Sequence, residues 1–156
     1  MIIVFCDDDQ TLVDLAFKEI EEYEEVFSRC ILYNDPKLNR LKLGKNENLF
    51  ISAHGSDTSA IIGGHGAQSL SLTPSQLWNR IRHLFPVNYE GAIYLASCYA
   101  ADELPPKTGN STNEKSFITQ LAEVSGQTVY GQSGGQPLEF IPQPDEEDPE
   151  YQWKKG

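Results

Sequence analysis

The chain has 156 residues, the length of one ordinary domain, and at 39% hydrophobic it can bury a core without covalent staples. No apolar run approaches the roughly 18 residues a membrane helix needs, and 23 acidic against 12 basic residues leave a net charge of −11 that repels phosphate backbones and anionic lipid surfaces. Neither nucleic acid nor a membrane is therefore an expected partner.

In chain order, Ile2 to Phe5 reads as a short buried strand, and MIIVFCDDDQ lacks the basic start, apolar stretch and small-residue cleavage site of a secretory signal. The expected location is the cytoplasm, or the outside by a route without an N-terminal signal peptide. From about Asp9 the spacing turns helical, with Leu12, Ala16, Ile20 and Tyr23 on one face and glutamates on the other. Val26 to Tyr33 is rich enough in β-branched and aromatic residues for a second strand, which Asn34-Asp35-Pro36 ends. The stretch RLKLGKNENLFISA reads as a hairpin arm leading into a strand from Leu49 to Ala53, and SDTSAIIGGHGAQSLSL as loop with a short strand. Thr73-Pro74-Ser75-Gln76 forms a capping box with proline at the first helical position, so a helix carrying Leu77, Trp78, Ile81, Leu84 and Phe85 follows until Pro86. Gly91 to Ala96 is the next strand. Ser111 with Glu114 forms a second capping box before Phe117, Ile118, Leu121 and Ala122, and Gly126 precedes a last strand at Thr128 to Tyr130.

Such alternation predicts an α/β fold with a mainly parallel central sheet and helices on both faces, its functional groups lying beyond the carboxyl ends of the strands. Residues 1–142 form the expected domain. Residues 143–156 are an acidic, proline-rich tail read as disordered or loosely docked.

Two apolar runs end alike: LFISAHG delivers His54 to the lip of one strand, and IYLASC delivers Cys98 to the lip of another, 44 positions on. A thiolate nucleophile needs a base within hydrogen-bond reach, and adjacent strand ends supply that reach. Gly55 lets backbone approach a substrate closely, so its N–H and that of Cys98 are candidate donors to a developing oxyanion. Cys6, Cys30 and Cys98 are odd in number and widely spaced, against both a disulfide framework and a structural zinc site. Cys6 and Cys30 read as core. His54, His65 and Cys98 include no close-spaced ligand pair, so no metal and no cofactor is expected.

The order His then Cys, the two strand-end blocks and a spacing near the approximately 50 residues of caspases resemble the caspase-like clan of cysteine peptidases. SFITQLAEVSGQTVYGQSGG is similar to the helix and strand that follow the nucleophile in its bacterial members, and the likeness runs from about Ile2 to Gly135. The resemblance implies a cysteine endopeptidase that cleaves protein or peptide substrates, with His54 and Cys98 as a dyad. It departs from caspases proper, since SCYAA is not their pentapeptide around the cysteine and no second-subunit region follows. Scattered Arg80, Arg82, Lys107 and Lys115 do not form the basic surface by which toxin self-cleaving domains bind inositol hexakisphosphate. A non-catalytic binding module on the same fold is the alternative. Asp57 and Ser52 are possible orienters of His54, with neither assigned, and loops 99–111 and 131–140 are the candidate specificity walls. His65 also precedes glycine, but behind a shorter apolar run. Gly131-Gln132-Ser133-Gly134-Gly135 satisfies the nucleophile-elbow pattern of serine hydrolases, yet no histidine follows Ser133 to act as its base.

Overall fold

The structure, a computed structural model, describes residues 1–136 and 140–156. Positions 137–139 of the candidate loop 131–140 lie outside the described residues. Strands β1 (Ile2–Val4), β2 (Cys30–Leu32), β3 (Leu49–Ser52), β6 (Ile93–Ala96), β7 (Val129–Gly131) and β8 (Lys154–Lys155) form one sheet in the order β2-β1-β3-β6-β7-β8. All neighbours are parallel except β7 and β8. A separate two-stranded hairpin, β4 (Ile62–Gly63) and β5 (Ser71–Leu72), follows β3. The strand order reverses direction between β1 and β3, the crevice where open α/β sheets place their ligands.

Side chains on successive strand positions point to opposite faces, and the core divides accordingly. Ile3, Ile51, Leu95 and Val129 pack with Leu77 and Ile81 of α3 (Pro74–Ile81) and with Ile118 and Leu121 of α4 (Phe117–Ser125). Ile2, Val4, Phe50 and Tyr94 pack with Leu12 and Ala16 of α1 (Gln10–Glu22) and with Phe27 of α2 (Glu24–Phe27). Helices thus cover both faces of the mainly parallel sheet. No helix among the described residues is long and apolar enough to cross a membrane.

Several local expectations shift. The second strand is confined to Cys30–Leu32, because Glu24 to Phe27 coil into α2 and Ser28 turns the chain at φ 59°. Phe27 is thereby directed onto Phe50, ring centroids 4.7 Å apart, instead of into a ladder. No hairpin arm forms before β3; a 3₁₀ turn, Pro36–Arg40, and a loop take its place. The box at Thr73 and Gln76 forms in full. Helix α4 is instead capped by Ser116, whose side chain accepts the Thr119 N–H, while Glu114 pairs with Leu104 in an isolated bridge. On α1 the buried face carries Glu19, and Tyr23 is exposed.

The largest difference concerns residues 143–156. They return to the sheet, and β8 pairs antiparallel with β7, Tyr130 opposite Lys155. Trp153 sets its ring 5.1 Å from that of Tyr94 and edge-on, and its indole N–H donates to the Gln143 carbonyl. The prolines and acids that suggested disorder lie between these anchor points and do not prevent them from docking.

Candidate active site

His54 and Cys98 are positioned by strand register. β3 and β6 are parallel neighbours with Ser52 opposite Ala96, so each of the two candidate residues stands two places beyond a paired position. Both line one pocket at the carboxyl end of the sheet, together with Ser52, Ala96 and Ser97. Gly55 is required where these two strand ends meet: a Cβ on it would lie 2.1 Å from the Cys98 carbonyl oxygen and 2.5 Å from the Ser97 Oγ.

The His54 ring is buried, and its Nε2 lies 2.8 Å from Oδ2 of Asp9. Asp9 caps the N-terminus of α1, where its Oδ1 accepts the Thr11 and Leu12 N–H groups. One carboxylate oxygen therefore holds the helix and the other holds the histidine. Burial by itself would raise the Asp9 carboxyl, but the hydrogen bonds from His54, Leu12 and Thr11 keep it below its ordinary range. With the carboxylate ionised, Nε2 carries the proton and Nδ1 is left as the ring's acceptor.

The orienting group is thus Asp9, and neither Asp57 nor Ser52 fills that place. Asp57 is exposed, and Ser52 is buried within β3. The run Asp7-Asp8-Asp9 is the signal in the sequence, since it follows β1, and β1 pairs with β3 in the register that sets Val4 against Ser52. Asp7 and Asp8 hold the neighbouring loop in place. Asp8 accepts the His65 and Gly66 N–H groups, and Asp7 accepts that of Leu70.

His65 is brought to His54 and not into the pocket wall. Gly63 and His54 exchange backbone hydrogen bonds of 2.9 and 3.0 Å, and two residues later the exposed His65 ring lies over the His54 ring, centroids 3.5 Å apart. His83 is a structural histidine, its Nε2 2.9 Å from the Leu38 carbonyl oxygen.

Cys98 is half-buried, and its sulfur accepts the Gln136 N–H at 3.2 Å. The next residue, Tyr99, sits at φ 61°, a strained conformation for a residue with a Cβ. It is held there by Tyr99 N–H to Gly134 O and by Gly134 N–H to Asp102 Oδ2. The glycine-rich segment therefore lies beside the cysteine. Ser133 accepts from the Lys154 ammonium on the outer side of this turn. Cys6 is a buried thiol and Cys30 a half-buried one packed against the core, and burial pushes both up, Cys30 to about 12.

The remaining pocket wall is made by Phe140, Ile141, Pro142 and Tyr151 of the C-terminal segment facing Leu12 and Leu15 of α1. The free space in this partly open pocket is about 30 Å³, room for a water-sized group. No family model, no curated protein and no solved structure matches the chain.

Proposed function

We propose that the chain is a cysteine endopeptidase of the caspase-like kind, with Cys98 as nucleophile and His54 as general acid and base. The observation that carries this reading is the register of β3 and β6, which brings His54 and Cys98 to equal depth on one sheet edge and into one pocket. Asp9, bonded to Nε2, fixes the ring and leaves Nδ1 to exchange the proton. In the reaction Nδ1 takes the thiol proton as sulfur attacks the peptide carbonyl carbon. The tetrahedral oxyanion is held by the N–H groups of Gly55 and Cys98. Collapse breaks the C–N bond, the amine leaves with the proton from His54, and a thioester remains. Water then attacks the thioester, gives a proton to His54 and releases the acid, and the thiol is restored.

A second reading, a catalytically silent binding module on the same fold, draws on the narrowness of the pocket and on the Gln136 backbone engaging the sulfur. The two part on thiol reactivity. Iodoacetamide should modify Cys98 ahead of Cys6 and Cys30, and His54→Ala should slow that modification about tenfold or more. A Cys98 no faster than Cys6 and Cys30, or indifferent to His54→Ala, would leave the binding module as the better account.

A further inference from the structure

Beside the pocket, three side chains from three separate segments converge. One donor atom each from Asp9, His54 and His65 lies within 4.8 Å of the others. We infer that Asp9, His54 and His65 form a binding site for a divalent transition-metal ion of the zinc class. The site shares Asp9 and His54 with the dyad proposed above, and an ion on His54 Nε2 would replace its hydrogen bond to Asp9 and move the ring proton to Nδ1, so the metal-bound form is one in which His54 does not serve Cys98.

The donor set is two imidazoles and one carboxylate, the nitrogen and oxygen ligands that Zn²⁺ accepts, and three protein ligands leave a fourth position open. Ions of this class bind at about 2.0–2.2 Å from each donor, so neighbouring donors around one ion stand some 3 Å apart. The 2.8 Å between His54 Nε2 and Asp9 Oδ2 is already close to that spacing. His65 is exposed and its ring is tilted 31° to that of His54, so rotation of this one side chain completes the set.

The supports behind the donors are also in place. The Asp9 Oδ1 is tied to the α1 amides, which leaves Oδ2 directed at the site. The His54 backbone is bridged to Gly63, and the His65 amide is held by the Asp8 carboxylate. A Cβ on Gly64, between them, would lie 2.5 Å from Asp8 Oδ1 and 2.6 Å from Asp7 Oδ1, so a side chain there would displace the carboxylates that hold this loop. Outer-shell fixation of this kind is what gives a metal site its affinity. The carboxylates of Asp7 and Asp8 add negative charge that offsets the positive end of α1. The site lies at the β1/β3 reversal point of the sheet, the expected ligand crevice of this fold class.

The test is a calorimetric titration of the full chain with Zn²⁺ in a non-chelating buffer, paired with the absorption spectrum of its Co²⁺ form. One ion per chain should bind saturably. His65→Ala alters an exposed side chain, and Asp9→Asn retains a good helix cap, so both variants should fold. Each should weaken binding by about 100-fold, the upper range for loss even of an outer-shell partner. Cys98→Ala should bind as the parent does, and Co²⁺ should show d–d bands with no thiolate charge-transfer band. Unchanged affinity in both His65→Ala and Asp9→Asn, loss of binding in Cys98→Ala, or a thiolate band would overturn the assignment.

Discussion

Asp9 combines three roles in one carboxylate, because it caps α1, orients His54 and faces His65. Asn is as good a helix cap as Asp, which allows the roles to be separated. An Asp9→Asn variant should retain nearly parental stability at neutral pH, while its amide no longer stabilises the imidazolium or enforces a proton on Nε2. Peptide cleavage, and alkylation of Cys98, should fall by about two orders of magnitude, the lower end of the roughly 10²–10⁴-fold range of general acid–base assistance. Equal rates in the two proteins would remove Asp9 from the proton-transfer chain. His54 and Cys98 are legible in the amino-acid sequence because each ends a run of buried apolar residues, a local pattern. Asp9 is legible only as part of an acidic run after a strand, because its relation to His54 passes through the pairing of β1 with β3, which that run does not report. His65 follows only a short apolar run, yet the bridge between His54 and Gly63 brings its ring onto the site from a hairpin that no periodicity signals.

Among the elements, the contact of the β3 and β6 ends sets the tightest constraint. A Gly55→Ala methyl would meet the Cys98 carbonyl, which is backbone and cannot rotate away. The variant should lose about 1–3 kcal/mol of stability, the usual cost of overpacking, measured as a lowered urea midpoint, and Cys98 should shift with it. Helix α1 offers a test of opposite sign. Glu19 is buried beneath the C-terminal segment, one oxygen accepting the Ile141 N–H and the other unpaired among the described residues. Burial, only partly opposed by that hydrogen bond, raises its pKa. A carboxyl whose folded pKa is raised favours the folded state fully when protonated, below its ordinary value near 4.3. That contribution is lost as pH rises through the folded value. Glu19→Gln keeps an acceptor for Ile141 and removes the charge. It should therefore stabilise the protein by about 1 kcal/mol at pH values above the folded pKa, with the difference vanishing in acid. Thermal midpoints across that range decide it, and a constant difference at all pH values would show that Glu19 does not titrate in the fold. The same helix shows why element faces are harder to read than elements: helical spacing places Leu12 and Ala16 on the buried face, but Glu19 is buried by a segment more than a hundred residues away, which that spacing cannot register.

Over the whole molecule, the C-terminal segment covers the part of the sheet that α1 and α2 leave open. Tyr94 and Tyr130 stack at 5.0 Å on that face, with Trp153 edge-on to Tyr94 and Phe50, and β8 closes the β7 edge. The sequence pattern hides this because the docking residues, Ile141, Tyr151 and Trp153, are spaced apart by proline and acid and show neither helical nor strand period. Their burial depends on a surface built by distant strands. Removing residues 143–156 should therefore cost stability, about 2–4 kcal/mol by analogy with truncation of large buried aromatics, and should expose the Phe50 and Tyr94 face to a hydrophobic dye. The segment also walls the pocket through Tyr151, and its carbonyl accepts the Gln132 side-chain N–H beneath. The pocket it helps to line is narrow, about 30 Å³, and only partly enclosed, so this wall restricts approach to Cys98. Truncation should accordingly speed alkylation of Cys98 by about tenfold at denaturant concentrations where the shortened chain is still folded, while Cys6 and Cys30 stay protected. Trp153→Ala should move both quantities in the same direction by less. A shortened protein with an unchanged urea midpoint would show that β8 and Trp153 add nothing to the fold. Loss of stability without faster alkylation would separate the two roles, leaving the segment as part of the sheet and the barrier at Cys98 with Gln136.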